Sequence, residues 1–509
     1  MADKRADPRG VSDAEASELH SELKRKTARG AVMSVVGQGA TFALRIGSMV
    51  VLARLVTPEQ FGLVGMVTAF TGLLNMVMFG LPNAAVQSAT LSRELASTLF
   101  WLSLAIGAAL ATMTALAAPL IAGFYGEPRL LWITVALAAI FIVNGAAAQH
   151  RALLQRRLHF GALVTIDIAA LVASAVAGIW MGIAGFGYWA LVAMAIAPPV
   201  TAMIGAWIAA RWLPGPPKRG IGIRSMLRYG GIFTINTLVV YAAYNVDKVL
   251  LGRFWGAEVL GLYGRAYQLS NIPTENLHSA MSFVMFPALA RVQDDPQRLR
   301  NYFVKGYAVF LAVVMPITIA CGLFAADIVR VLLGPQWSDA VPVFQLLAPT
   351  ILVFALLNPM GYMMQATGRV SRSLAMAFVI APVVFVGYLA GLPYGPTGVA
   401  LGFSTAMLIL LVPCVAWAKR GTLITGADLW RAALPPLGST LVGAAAAIVV
   451  GLLLADAGAV VRLLALTATL FGVHALTLLF GLGQKETYLD LLRAVRADEG
   501  RTAEAGSKL

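Results

Sequence analysis

The chain has 509 residues, of which 59% are hydrophobic and only 12% are charged. Together with a mean hydropathy of +0.79, this composition excludes a soluble protein of that length. The formal net charge of +14 would indicate a nucleic-acid partner in a soluble chain, but here the cations flank apolar segments, where membrane topology and anionic headgroups explain them. We therefore expect the lipid bilayer as a partner, and no nucleic acid.

The predicted elements, in chain order, are about fourteen apolar stretches of roughly 20 residues, each long enough to cross a hydrocarbon core of ~30 Å as a helix. The first group covers residues 31–53, 62–83, 100–122, 131–150, 163–184 and 188–210. A linker at 212–220 contains three prolines and two glycines, which preclude a continuous helix. The second group covers residues 231–252, 262–287, 306–328, 342–365, 374–394 and 397–417, and two more stretches follow at 434–455 and 463–482.

Lysine and arginine fall on one side of this alternation. Thirty of the 38 lie in every second gap or at the ends of the chain, whereas the intervening gaps hold only Arg54, Arg129, Arg253, Arg330 and Arg462. Positively charged loops remain in the cytoplasm, so both termini are predicted to be cytoplasmic and the number of crossings to be even. The sequence thus predicts a multi-pass protein of the bacterial inner (cytoplasmic) membrane.

A repeat divides the predicted helices into two lobes. A shift of 199 residues places the first of two motif copies on the second without a gap; the five identities are Arg54/Arg253, Glu59/Glu258, Gly62/Gly261, Leu63/Leu262 and Gly65/Gly264. Each copy contains an even number of spans, so both keep the same orientation and are related by an axis along the membrane normal, as in transporters that rock two lobes about a central site. The predicted fold class is an all-α polytopic membrane protein with about 14 transmembrane helices: two pseudo-symmetric six-helix lobes plus two C-terminal helices. The expected parts are a cytoplasmic N-terminal segment (1–29), an N-lobe (30–212), a cytoplasmic linker (213–229), a C-lobe (230–420), two further helices (421–484) and a cytoplasmic tail (485–509).

Polar side chains form stripes along three of the predicted spans, at intervals of three and four residues that place them on one helix face. The stripe of the first span consists of Ser34, Gln38, Thr41, Arg45 and Ser48. That of the seventh consists of Thr234, Thr237, Tyr241, Tyr244 and Lys248, with Asp247 beside it. That of the eighth consists of Arg265, Gln268, Asn271, Glu275, His278 and Ser282.

The charges in these stripes predict a hydrated cleft between the lobes. A charged side chain at mid-bilayer costs ~2.5–3.5 kcal/mol even on the lenient insertion scale, so five facing lipid would cost on the order of 10 kcal/mol. Three cations against two acids give the cleft a positive bias. The candidate substrate-binding residues are Arg45, Lys248, Arg265, Tyr241, Tyr244, Gln38, Gln268 and Asn271. Asp247 and Glu275 are candidates either for coupling transport to protons or sodium or for structural counter-ions, and the sequence leaves both open.

No enzyme signature is present in the sequence. It contains no metal-ligand cluster, no glycine-rich phosphate loop and no Ser/His/Asp set at a recognisable spacing. The two cysteines, Cys321 and Cys414, lie inside apolar stretches, which favours neither a disulfide nor a metal site. We expect a protein that is not an enzyme and has no resident cofactor.

Six short strings together resemble polysaccharide flippases of the O-antigen and colanic-acid exporter type, in the MATE-like (MOP) superfamily that also includes the MATE drug exporters. The strings are Ala53–Leu63, Gly187–Val192, Asp247-Lys248, Gly261–Tyr267, Phe286–Leu289 and Gly334–Trp337. The resemblance implies two six-helix lobes plus two extra helices, and a cationic central cavity, which we place at Arg45, Lys248 and Arg265. It also implies transport of undecaprenyl-pyrophosphate-linked oligosaccharide to the periplasmic leaflet, with polysaccharide polymerase and export machinery as partners.

Two alternative functions stay open. A cation-coupled small-molecule (drug) exporter of the same superfamily would favour an acidic rather than a cationic cavity. A membrane-bound glycan polymerase or glycosyltransferase would need clustered acids or a long outer loop, whereas the predicted outer gaps contain at most about a dozen residues.

Overall fold

Helices form the whole of the regular structure that is described. The computed structural model describes residues 39, 41–87, 92–218, 234, 238, 241–242 and 244–486, and in these ranges it contains no strand. The predicted all-α class is confirmed. The predictions for residues 1–29 and for Gln38 lie outside the described residues.

The first seven helices precede the proline-rich linker. They are α1 (41–55), α2 (Pro58–Asn75), α3 (Gly80–Gln87), α4 (Arg93–Tyr125), α5 (Leu130–Arg156), α6 (Phe160–Ile183) and α7 (Tyr188–Ala210). A 3₁₀ turn at Met76–Phe79 connects α2 to α3, so the predicted span 62–83 consists of two helical pieces joined by a tighter turn.

After the linker, eight further helices have bounds that fall wholly within the described residues. They are α8 (Val246–Arg291), α9 (Pro296–Leu323), α10 (Ala325–Leu332), α11 (Ala340–Ala366), α12 (Val370–Gly391), α13 (Gly395–Ala418), α14 (Gly426–Leu453) and α15 (Ala459–Leu476). A π-helical turn, Thr477–Gly481, continues α15. The described part of the chain includes ten segments long and apolar enough to cross a membrane, and one of them, Ala375–Ala418, covers two consecutive helices. The protein is a multi-pass membrane protein.

The two copies of the repeat begin at two differently built turns. In the first copy, Thr57 caps α2: its hydroxyl accepts from the backbone N–H of Gln60, and the Gln60 side chain accepts from the Thr57 N–H. Pro58 follows at the first helical position, where its missing N–H costs nothing. In the second copy the residue equivalent to Thr57, 199 positions later, is Gly256, whose φ of +83° bends α8 sharply. Residues 246–255 therefore run towards this bend and residues 257–291 run away from it.

The helices pack in two sets that meet at α2 and α8. In the first set α5 packs against α4 and α7, and α7 packs against α6. In the second set α11 packs against α8, α9 and α13, α12 packs against α13, and α14 packs against α9 and α15. The α2–α8 contact joins the sets, and it brings the stripe of α8 opposite α1.

Candidate functional site

An ion pair between α1 and α8 is the centre of the candidate site. Arg45 Nη2 lies 3.5 Å from Glu275 Oε2, and the two side chains are 56% and 51% exposed. Asn271, one turn from Glu275 on the same face of α8, donates from Nδ2 to Glu275 Oε1 at 2.8 Å. The stripes of the first and eighth predicted spans therefore face each other, and the structure brings three predicted site residues together.

This ion pair differs from others in what it connects. Arg45 belongs to the first helix set and Glu275 to the second. Three other pairs each join residues of a single set: Arg129–Glu59, Arg151–Asp167 and Arg300–Asp428. A charged group that binds either Arg45 or Glu275 can therefore alter a connection between the two sets, not only a local surface contact.

Lys248 precedes the bend of α8 and lies beside the ring of Tyr267, which comes after the bend. Its Nζ donates to Asn245 Oδ1 at 2.6 Å and lies 5.0 Å from the ring centroid of Tyr267. The cation–π contact and the hydrogen bond hold the ammonium group in place. An ammonium carries three donors, so the bond to Asn245 leaves Lys248 with the capacity to bind an anion.

Asp247 precedes Lys248 in the chain and is fully buried. Its Oδ2 accepts from the Tyr263 hydroxyl at 2.7 Å, while Oδ1 has no hydrogen-bond partner in the described part of the chain. The buried hydroxyl of Tyr388 is likewise without a partner there. A buried polar atom without a partner costs ~1–3 kcal/mol, so each of these two atoms lowers the stability of the packed helices.

Arg265 lies nearer the bend at Gly256 than Glu275 does, and its guanidinium contacts a different helix. Its Cζ is 3.6 Å from the ring centroid of Phe61 on α2, and it donates to Gln268 Oε1 one turn along α8. Arg265 and Gln268 thus form a pair of their own at the α2–α8 contact. The structure does not bring them together with the Arg45–Glu275 pair.

The two predicted tyrosines contact different helices, one in each helix set. The Tyr241 hydroxyl occupies the space beside Gly72 of α2, and a Cβ on that glycine would overlap it. The Tyr244 ring lies 6.5 Å from Phe354 on α11. Gly72 is therefore required for Tyr241 to lie where it does, an interaction that periodicity alone could not predict.

Further residues complete the surroundings. On α8, His278 lies one turn beyond Glu275 and is exposed, and its Nδ1 is 2.5 Å from the Tyr362 hydroxyl on α11. The stripe of the eighth span includes His278, but Tyr362 was not predicted because it lies outside the three polar stripes. No group of three His, Cys, Asp or Glu residues that could hold a metal ion exists among the described residues.

Comparison with known proteins assigns the chain to a family. The sequence model of the family described as "Polysaccharide biosynthesis protein" matches residues 51–342. The chain belongs to this polysaccharide biosynthesis protein family. The chain is 28% identical over 398 residues to lipopolysaccharide biosynthesis protein WzxC of Escherichia coli (strain K12), covering 76% of this chain and 80% of that one. It is 24% identical over 487 residues to succinoglycan biosynthesis transport protein ExoT of Rhizobium meliloti (strain 1021), covering 93% and 96%.

Solved structures agree on the fold of this polysaccharide biosynthesis protein. The lipid II flippase MurJ in an inward closed conformation superposes with a TM-score of 0.72 at 13% identity, covering 89% of this chain and 99% of that one. An inward-facing MATE multidrug transporter of the MOP superfamily gives 0.59 at 15% identity, covering 74% and 94%. At these identities the likeness shows the fold alone. The predicted resemblance to polysaccharide exporters is confirmed by the family model and by the transport relative.

Proposed function

We propose that this protein flips an oligosaccharide linked to undecaprenyl pyrophosphate from the cytoplasmic to the periplasmic leaflet of the inner membrane. Family membership and the transport relatives support a polysaccharide precursor as cargo. The observation that carries the proposal is the half-exposed Arg45–Glu275 pair, which joins the two helix sets inside the span region. The proposed architecture is two six-helix lobes, with the helices α14 and α15 in addition.

The diphosphate of such a substrate matches the chemistry of Arg45. A guanidinium presents two parallel N–H donors to phosphate oxygens and stays charged in a partly dry site. Without substrate, Glu275 occupies that guanidinium. Binding therefore requires the diphosphate to displace the carboxylate, after which Lys248 offers a second cation and Glu275 is free to accept a proton.

The remaining candidate residues suit the sugars of the substrate, whereas its polyprenyl tail needs no polar partner. Tyr241, Tyr244, Gln38, Gln268 and Asn271 offer hydroxyl and amide groups that bind sugars through hydrogen bonds. The polyprenyl tail stays in the lipid, because burying it inside a polar cleft would forfeit its apolar environment. Rocking of the two sets then exposes the site to the opposite side.

Asp247 and Glu275 are our candidates for coupling this cycle to protons or sodium. Asp247 is fully buried with one oxygen unpartnered in the described part of the chain. Glu275 changes its partner when an anion binds Arg45. Both features give a carboxylate whose affinity for a cation depends on the state of the transporter.

The test is export in a strain that lacks the gene and carries variants. The double variant Arg45→Glu/Lys248→Glu should reach the membrane at the normal level but abolish surface polysaccharide, with lipid-linked oligosaccharide accumulating inside. Arg431→Glu, an exposed cation near the start of α14, is the matched control and should export normally. Unimpaired export by the double variant refutes the assignment of the cavity. If the gene instead confers drug resistance and leaves lipid-linked oligosaccharide unchanged, the protein is a small-molecule exporter.

A further inference from the structure

The two copies of the repeat motif touch each other through their glycines. A Cβ added to Gly62 would lie inside 3.0 Å of the Ala257 carbonyl, and a Cβ added to Gly261 would lie inside 3.0 Å of the Pro58 carbonyl. The two contacts are equivalent, since the 199-residue shift that places Gly62 on Gly261 also places Pro58 on Ala257. Each glycine thus contacts the start of the other copy, which is the pattern of a two-fold symmetric contact.

Contacts around this crossing seal the same end of the molecule. The Trp337 indole N–H donates to the Ala53 carbonyl at 2.8 Å, and Trp337 is fully buried. Arg54 donates from Nη2 to the Val331 carbonyl at 3.0 Å. The Phe61 ring meets Trp337 edge-on at 5.4 Å. Each contact joins residues of the first helix set to residues of the second.

Among the described residues, side chains at the opposite end of the same interface are exposed. The Arg45 and Glu275 side chains are each about half exposed, and His278, one turn further from the crossing, is exposed. The cation distribution predicts that the crossing lies on the extracytoplasmic side, because Arg54 and Arg253 fall in the cation-poor gaps. The interface is therefore tight at the outer end and accessible towards the cytoplasm.

We infer that the Gly62–Gly261 crossing is the closing surface of the extracytoplasmic gate. The start of α2 and the part of α8 just after its bend approach closely enough to exclude water only where neither carries a side chain, as small residues allow in membrane helices. A methyl group at both positions would hold the two copies apart, shifting the protein towards a state that is open to the outside. The Arg265–Phe61 and Trp337–Ala53 contacts then act as latches that break when the gate opens.

The motif provides its own matched control. Gly65 and Gly264 are also equivalent by the 199-residue shift, yet a Cβ on Gly264 would meet nothing within 4 Å and one on Gly65 would lie 3.6 Å from the nearest atom of Leu260. Alanine at these two positions changes helix propensity as alanine at Gly62 and Gly261 does, without obstructing the crossing. A difference between the two double variants therefore reports on close approach alone.

The test measures access to the cleft from outside. In a background in which serine replaces Cys321 and Cys414, Thr41→Cys places a thiol one turn from Arg45 on the same helix face. A membrane-impermeant maleimide added to the outer face of spheroplasts should label this thiol about fivefold faster or more in Gly62→Ala/Gly261→Ala, which corresponds to a shift of about 1 kcal/mol in the gate equilibrium. Gly65→Ala/Gly264→Ala should label at the parental rate. Equal labelling of the two double variants overturns the inference.

A second measurement does not depend on folding of the glycine variants. Arg54→Cys/Val331→Cys, joined by a bifunctional methanethiosulfonate, ties the gate closed across the contact that these two residues already make. Export should stop on cross-linking and return on reduction, whereas each single-cysteine variant treated with the same reagent should continue to export. Export by the cross-linked protein overturns the gate. The labelling rate depends on the gate and not on the cargo. The inferred gate and the proposed flippase function can therefore be refuted independently.

Discussion

Replacing Glu275 with glutamine should strengthen binding of a diphosphate at Arg45. Glutamine has the same shape, and its Oε1 can still accept the hydrogen bond from Asn271 that Glu275 Oε1 accepts. It removes only the negative charge that competes with the substrate for the guanidinium. If Arg45 is the anion-binding group, the variant binds more tightly even though a carboxylate-dependent step slows export.

The magnitude follows from the geometry of the pair. Two unit charges 3.5 Å apart attract by about 1 kcal/mol in bulk water and by about 5 kcal/mol at an effective dielectric of about 20. Since both side chains are about half exposed and the pair costs side-chain entropy, the net value belongs near the lower end, ~0.2–1 kcal/mol. Releasing Arg45 should therefore improve affinity by up to about fivefold, and removing the repulsion between Glu275 and the phosphates adds to this.

The assay is calorimetric titration of inorganic pyrophosphate into purified protein in lipid nanodiscs. Glu275→Gln should bind more tightly than the parent protein and Arg45→Gln more weakly, and both differences should shrink as salt rises because exposed charges are screened. Both variants introduce glutamine, so a loss of folding caused by the new side chain should weaken binding in both, whereas an effect of charge should change binding in opposite directions. Unchanged or weaker binding by Glu275→Gln, together with unchanged binding by Arg45→Gln, would refute the exchange of partners at Arg45.

Three further outcomes follow from other contacts. Lys248→Met keeps most of the unbranched side chain but removes the charge, and it should weaken pyrophosphate binding in the same titration by about 1 kcal/mol, or about fivefold; an unchanged affinity would exclude Lys248 from the site. His474→Leu removes a buried ring whose nitrogens contact two hydroxyls and a backbone carbonyl, so its melting temperature in detergent should fall while export per folded molecule persists; lost export in a stable protein would contradict a structural role. Gly402→Ala should lower the melting temperature because its Cβ would overlap the Gly387 carbonyl, whereas Gly438→Ala, with nothing within 4 Å, should not; equal melting would contradict the packing.

The helices and the facing of the stripes could be predicted because both depend on local order. Long apolar stretches require helices in a membrane, and the three-and-four spacing by itself places Arg45 and Glu275 on polar helix faces. To predict that these two faces meet, it was enough to assume that charged stripes avoid contact with lipid. The observed pair at 3.5 Å agrees with this reasoning.

The positions of Arg265 and Asp247 depend on contacts that periodicity does not contain. Arg265 meets Phe61 because the start of α2 crosses α8 just after the bend at Gly256. Asp247 meets Tyr263 because the chain bends at Gly256 and returns alongside itself. A helix-face argument treats each span separately, so it groups Arg265 with Glu275 although the two side chains have different partners.

The repeat explains why one side of the interface carries the charge. The shift of 199 residues makes Tyr244 the equivalent of Arg45, Met76 the equivalent of Glu275, and Gly72 the equivalent of Asn271. The backbone is symmetric at the crossing of Gly62 and Gly261. The side chains deeper in the interface are not symmetric.

An anion that enters this interface therefore encounters a guanidinium on the α1–α8 side and tyrosines on the other. The Coulomb attraction acts towards Arg45 on α1 and Lys248 on α8, and Tyr241 fills the space beside Gly72 of α2. A diphosphate should lie off the pseudo-symmetry axis, towards α1 and α8, with the sugars towards the tyrosines. A symmetric gate with an asymmetric site lets the backbone of both copies carry the motion, while charged side chains on the α1–α8 side of the interface select the cargo.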